Sequence, residues 1–345
     1  MANIAENPIN AQESNDTKTM RFYNDVSEMI GRTPLVRINR LNPHQEILLL
    51  AKIEGVNPGG SVKDRIAKYM IGDAIERGLL TKDGILIEAT SGNTGIGLAM
   101  MCAIKGYRCE LVMPANMSLE RRNVMEAYGA TVILTPSELG MDGAQDYVIR
   151  KLEEEPEKYF SPNQFDNPVN WRAHYETTAR EILEDTDGSI THFVAGLGTS
   201  GTLMGVGKGL KKLVPAVRIV SVEPESGSII QGLKDLKTQY VPGIFDVTVL
   251  DQRMHIDDSS ANDTTRKLAL EEGLFMGQSS GAAMCGALEV VKDLHQQNEK
   301  DAVVVVLLAD SGYKYISKST ISIKEQPTVL SGSIKEERAT CTQTS

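Results

Sequence analysis

Cysteine is scarce in this chain of 345 residues: Cys102, Cys109, Cys285 and Cys341 are all there are, and no two stand in a C-x-x-C pair. That spacing argues against a disulfide framework or a structural zinc and for reduced thiols in a cytoplasmic setting. The five histidines are scattered, with no pair at metal-ligand spacing, so no metal is expected. Basic runs are missing too. With 36 basic against 46 acidic residues and a net charge of -10, nothing in the chain suits tracking phosphates along nucleic acid. No stretch approaches the roughly 18 apolar residues of a membrane span. The first twenty residues carry Glu6, Glu13 and Asp16 and lack an apolar core, which fits neither a secretory signal nor a transit peptide.

What is present is a 41% hydrophobic chain, long enough for two domains sharing one cleft. Strand patterns at 47–53, 85–88, 109–113, 131–134, 192–195, 219–222 and 303–308 alternate with helical ones, so the expected fold is α/β with parallel strands and helical crossovers. Several strands run into glycine-rich turns and then helices, where open α/β sheets gather ligands. A seam is expected near 163–170, where Pro162 and Pro168 interrupt the pattern. Residues 1–20 and 326–345, rich in polar residues, are expected to be mobile tails.

Four segments carry chemistry. In Asn57-Pro58-Gly59-Gly60-Ser61-Val62-Lys63-Asp64-Arg65 a turn precedes a helix that Ser61 is expected to cap, with Asp64 completing a capping box. Lys63 then falls in the first helical turn, where the helix dipole disfavours its ammonium form and prepares it for imine chemistry. Read alone, the segment is equally a solvated lysine beside a cap. The second segment, Gly196-Leu197-Gly198-Thr199-Ser200-Gly201-Thr202, follows a strand and opens a helix, as a phosphate cradle does. It also matches G-x-G-x-x-G, with Glu223 about twenty residues on, so a dinucleotide oxidoreductase is a rival reading. The third, Glu88-Ala89-Thr90-Ser91-Gly92-Asn93-Thr94-Gly95, is a second anion nest whose hydroxyls and N–H groups suit a small carboxylate, with the Asn93 amide suited to a phenolate oxygen. The fourth is Gly277-Gln278-Ser279-Ser280-Gly281, an ordinary helix start unless a pyridine nitrogen meets Ser279. A lysine, a phosphate cradle and a separate carboxylate grip are together the requirements of a pyridoxal phosphate enzyme.

These four segments, taken in their order along the chain, resemble the cysteine synthase family, most closely its B branch. The likeness runs from Met29-Ile30-Gly31-Arg32-Thr33-Pro34-Leu35 to Gly312-Tyr313-Lys314-Tyr315, taking in Gln164-Phe165-Asp166-Asn167-Pro168, His174-Tyr175 and Val241-Pro242-Gly243-Ile244-Phe245. It implies fold type II, tryptophan synthase β-like: two doubly wound α/β/α domains with the cofactor between them. Residues 57–167 would form the smaller, substrate-gripping domain, and 21–56 plus 168–325 the larger, cofactor-binding one.

The resemblance further implies that Lys63 binds pyridoxal 5'-phosphate and acts as acid and base, that Asn93 contacts the ring oxygen, that Gly198, Thr199, Ser200, Gly201 and Thr202 hold the phosphate, and that Ser279 meets the pyridine nitrogen. Thr90, Ser91, Gly92, Thr94 and Gln164 would bind the substrate carboxylate. The implied reaction is β-replacement, in which O-acetylserine loses acetate to an aminoacrylate that adds sulfide and leaves as L-cysteine. A homodimer is implied, with the tail of a serine acetyltransferase as a partner. Cystathionine β-synthase or dehydratase activity, O-phosphoserine as substrate, and a catalytically silent binding relative are the alternatives.

Two departures stand out. Ile229-Ile230-Gln231-Gly232-Leu233-Lys234-Asp235-Leu236-Lys237 replaces the paired arginine common in the B branch, putting Lys234 and Lys237 near the cleft mouth. Ala309-Asp310-Ser311-Gly312-Tyr313-Lys314 replaces the commoner Gly-Glu-Arg-Tyr ending.

Overall fold

The computed structural model describes residues 22–90 and 92–316. Both expected tails and the expected substrate contact Ser91 lie outside the described residues.

Ten strands, β1 (Leu35–Arg37), β2 (Leu48–Ile53), β3 (Ile85–Ala89), β4 (Arg108–Pro114), β5 (Thr131–Thr135), β6 (Tyr159–Phe160), β7 (His192–Gly196), β8 (Arg218–Pro224), β9 (Gln252–Ile256) and β10 (Val303–Leu308), form two sheets. One is six-stranded, β1-β2-β10-β7-β8-β9, and the other four-stranded, β5-β4-β3-β6. Every pairing is parallel except that of β1 with β2. The helices are α1 (Lys63–Glu76), α2 (Asn93–Lys105), α3 (Leu119–Ala127), α4 (Gly140–Glu154), α5 (Val169–Glu176), α6 (Thr178–Asp185), α7 (Gly201–Leu213), α8 (Asp258–Glu272) and α9 (Gln278–Gln296).

β10, Val-Val-Val-Val-Leu-Leu, is buried along its whole length, as a strand covered by helices on both faces must be. Val304, Val306 and Leu308 pack into a core with α8 and α9; Val305 and Leu307 pack into another with α6 and α7. The four-stranded sheet is built the same way, with α1 and α2 on one face and α4 on the other. Each unit is thus a three-layer α/β/α sandwich.

All seven strands read from the sequence are present. The three that were not read, β1, β6 and β9, each lie at a sheet edge. β1 and β6 have three and two residues, and β9 is Gln-Arg-Met-His-Ile with alternating burial. Edge strands of this kind lack the apolar run that marks a central one.

Candidate active site

The carboxyl ends of β3 and β7 point into a cleft of about 660 Å³ lined by residues of both units, among them Lys63, Thr90, Asn93, Thr94, Gln164 and Thr199. Gly92 and Gly198 line it too. Lys63 is the first residue of α1. Burial lowers its ammonium pKa, while the carboxylates of Asp310 and Glu54 pull it back up. Desolvation is therefore the larger cause of a reactive amine here.

The expected capping box takes another form. Ser61 Oγ accepts from the N–H of Lys63 itself (3.2 Å), and Asp64 reaches past Ser61 to accept from the N–H of Gly59 (2.6 Å). The Asn57–Gly60 turn folds back over the helix start and is closer than Ser61. A β-carbon at Gly59 would stand 2.5 Å from Asp64 Oδ1, so only glycine lets the carboxylate in. Beneath Lys63, Arg65 is buried and doubly forked: it donates to both oxygens of Glu54 (2.7 and 2.8 Å) and both of Glu181 (2.6 and 2.8 Å). Such bidentate pairs fix geometry as well as charge, and this one pins α1 to the segment after β2 and to α6.

The residues read as a carboxylate grip surround the start of α2. Thr94 Oγ1 donates to Gln164 Oε1 (2.7 Å), which fixes the orientation of the Gln164 amide beside the buried Glu88 carboxylate. Asn170 Nδ2 donates both to the Gln164 carbonyl (2.6 Å) and to Thr199 Oγ1 (3.1 Å), tying this grip to the turn between β7 and α7.

In that turn Ser200 takes a left-handed conformation (φ 68°), and its buried hydroxyl has no hydrogen-bond partner among the described residues. At Gly201 a side chain would collide with the Asn170 amide oxygen. Thr202 Oγ1 lies 3.3 Å from His174 Nε2, and His174 Nδ1 lies 3.0 Å from Thr178 Oγ1. An unpaired buried hydroxyl at a helix N-terminus beside glycines and threonines fits the phosphate of pyridoxal 5'-phosphate.

Ser279 and Ser280 sit within the first turn of α9, and the residue before that helix is Gly277, so neither serine is its N-cap. Ser280 Oγ accepts from the Ala309 N–H (2.9 Å). Ser279 Oγ lies behind Gly232, which lines the cleft; a β-carbon there would stand 3.9 Å from it. Asn93 is held from two sides: its Nδ2 donates to Asp310 Oδ2 (2.7 Å) and its Oδ1 accepts from Lys314 Nζ (2.8 Å). Lys234 lines the cleft with Nζ 4.5 Å from the Phe165 ring centre, whereas Lys237 is exposed and is not among the lining residues.

Sequence reasoning missed Asn170, His174, Asp310 and Lys314 as parts of the site. Only the likeness at His174-Tyr175 and at 312–315, and the departure at 309–314, touched on any of them. It also missed a surface cluster: His44, Glu46 and His295 bring their ligand atoms within 4.8 Å of one another. The two imidazoles are stacked 3.8 Å apart and 17° from parallel, so their in-plane lone pairs run side by side and do not converge, and Glu46 Oε1 is 2.6 Å from His295 Nδ1.

The profile of the pyridoxal-phosphate dependent enzyme family matches residues 26–310. Cysteine synthase B of Escherichia coli K12 is 47% identical over 292 residues, covering 85% of this chain and 94% of that one. O-ureido-L-serine synthase of Streptomyces lavendulae is 41% identical over 308 residues, covering 86% and 92%. The crystal structure of Entamoeba histolytica cysteine synthase superposes with a TM-score of 0.83 at 36% identity, covering 92% of this chain and 96% of that one. These matches remove the dinucleotide reading. With Lys63, the turn between β7 and α7, and Thr94 with Gln164 meeting in one cleft, the chain belongs to the pyridoxal-phosphate dependent enzyme family, among the cysteine synthases.

Proposed function

We propose that this enzyme makes L-cysteine from O-acetylserine and sulfide by β-replacement. The observation that carries the proposal is the meeting, in one cleft, of a desolvated lysine amine with two separate anion sites. Bound pyridoxal 5'-phosphate supplies the electron sink that acidifies the α-carbon of an attached amino acid. The protein's part is placement. Ser200, Thr202 and the α7 N-terminus would hold the phosphate, Thr90, Thr94 and Gln164 the substrate carboxylate, and Asn93 and Ser279 would meet the ring. Lys63 would attach the cofactor and, once released by substrate, its amine would take the α-proton, a role that burial favours by disfavouring the ammonium form.

The 57–167 unit grips substrate and the remainder holds the cofactor, in a cytoplasmic homodimer. The C-terminal carboxylate of a serine acetyltransferase tail would use the same grip as the substrate. Among the described residues no helix is long and apolar enough to cross a membrane. Cysteine formation by the purified protein, compared across O-acetylserine, O-phosphoserine and serine with homocysteine, tests the reading. Faster turnover of either alternative would replace it.

A further inference from the structure

The three groups read as meeting the cofactor, Lys63, Asn93 and Ser279, come from segments far apart in the chain, and one tripeptide after β10 bonds to all three segments. The Ala309 carbonyl accepts from the Val62 N–H (2.8 Å), next to Lys63, and the Ser311 N–H donates to the Gly60 carbonyl (3.2 Å). The Asp310 carbonyl accepts from the Gly277 N–H (3.1 Å), and the Ala309 N–H donates to Ser280 Oγ (2.9 Å), on either side of Ser279. The Asp310 side chain, fully buried, then reaches Asn93 in the other unit.

We infer that Asp310, with Lys314, is a positioning residue that sets where the Asn93 amide stands relative to Lys63 and Ser279. An asparagine amide can flip by half a turn. Here an acceptor faces its nitrogen and an ammonium faces its oxygen, so one orientation is held, with the amide edge beside the Tyr315 hydroxyl. Lys314 is anchored in turn by the Gly60 carbonyl (2.9 Å), and Asp310 also accepts from the Tyr315 hydroxyl. Tyr315 lies under the Arg121 guanidinium at 4.7 Å.

A carboxylate is a costly choice for this place. Its Oδ1 is buried with no hydrogen-bond partner among the described residues, while Oδ2 takes both Asn93 and Tyr315. The charge also bears on Lys63, whose protonated form Asp310 favours.

The inference rests on the reading of Asn93 as a ring contact, and the test separates the two. Asp310→Asn, Lys314→Met and Asn93→Ala are compared as holoenzymes by the visible absorption of the cofactor bound at Lys63, by fluorescence titration of the apoproteins with pyridoxal 5'-phosphate, and by kcat and KM taken separately. Asp310→Asn and Lys314→Met should reproduce the band shift of Asn93→Ala and weaken cofactor binding about fivefold, the loss of roughly one hydrogen bond. Their kcat should fall while KM for O-acetylserine holds. If Asn93→Ala moves the band but the folded Asp310→Asn and Lys314→Met do not, the inference is wrong. If Asn93→Ala is itself silent, the ring contact is wrong and the inference falls with it. Should Asp310→Asn fail to fold, Lys314→Met decides alone.

Discussion

His174 Nε2 stands 3.3 Å from Thr202 Oγ1, placing a buried imidazole directly behind the turn between β7 and α7 that is proposed to hold the phosphate. Burial, then the nearby cations of Arg65 and Lys63, push its pKa well below the ordinary histidine value, so the ring is neutral. It orients Thr202 through one nitrogen while Thr178 steadies the other. His174→Ala should therefore weaken cofactor binding by about fivefold, one hydrogen bond's worth. Fluorescence titration of the apoprotein checks this. The sign of the pH effect follows from linkage: a histidine with a depressed folded pKa contributes stability above its unfolded value near 6.5, and that contribution is lost as pH falls below it. The melting temperature of His174→Ala should lose less than that of wild type between pH 7 and pH 5.

Ser200 gives opposite effects with and without cofactor. Its hydroxyl is buried and unpaired in the protein alone, so Ser200→Ala should stabilise the apoprotein by about 1 kcal/mol. It should also weaken pyridoxal 5'-phosphate binding. Melting curves of the two forms decide: a variant less stable than wild type in both would show that the hydroxyl serves the fold alone.

Asp64 bears on alkaline stability. Burial raises its carboxyl pKa to about 7, against the Lys314 ammonium and the Gly59 N–H, whereas an unfolded aspartate titrates near ~3.9. A group with a raised folded pKa stabilises most at low pH, and its contribution is lost as pH rises through about 7. Asp64→Asn keeps an acceptor for Gly59 and has no proton to lose. Its melting temperature relative to wild type should climb between pH 5 and pH 8; a constant difference would contradict this account.

Lys63→Ala should leave a folded protein with turnover below about a thousandth of wild type, because one amine supplies both the cofactor attachment and the base, the latter alone worth ~10²–10⁴. Residual activity above that level would assign the base elsewhere.

Lys234 tests the leaving group. Half-buried in the cleft wall beside Phe165, it would draw an anionic substituent with about 1 kcal/mol or less. Lys234→Ala should lower kcat/KM for O-phosphoserine more than for O-acetylserine, with O-acetylserine the better substrate of both proteins. A wild-type preference for O-phosphoserine that vanishes in the variant would reverse the assignment.

What could be read from the sequence was what is local. Lys63, Asn93, Thr94 and the run from Gly198 to Thr202 each stand at a strand-to-helix turn, and glycine and hydroxyl residues announce such turns within a few positions. Thr94 and Gln164 were named separately, and only the fold shows them bonded to one another. Asn170, His174 and Asp310 escaped notice as parts of the site because their partners lie 4 to 217 positions away and no short pattern encodes them. The capping box was misjudged for a related reason: the Ser61 and Asp64 spacing was right, but the fold of the preceding turn put Gly59 nearer. His44 and His295, 251 positions apart, looked scattered for the same reason.

The strand order also bears on how the chain is made. All four strands of the smaller sheet lie between residues 85 and 160, an unbroken run of synthesis. The larger sheet places β10, its last strand, between β2 and β7. A nascent or truncated chain ending before Val303 thus holds every strand of one sheet, while β2 and β7 lack the partner that joins them. Asp310, which ties the lysine, asparagine and serine segments together, emerges from the ribosome later still.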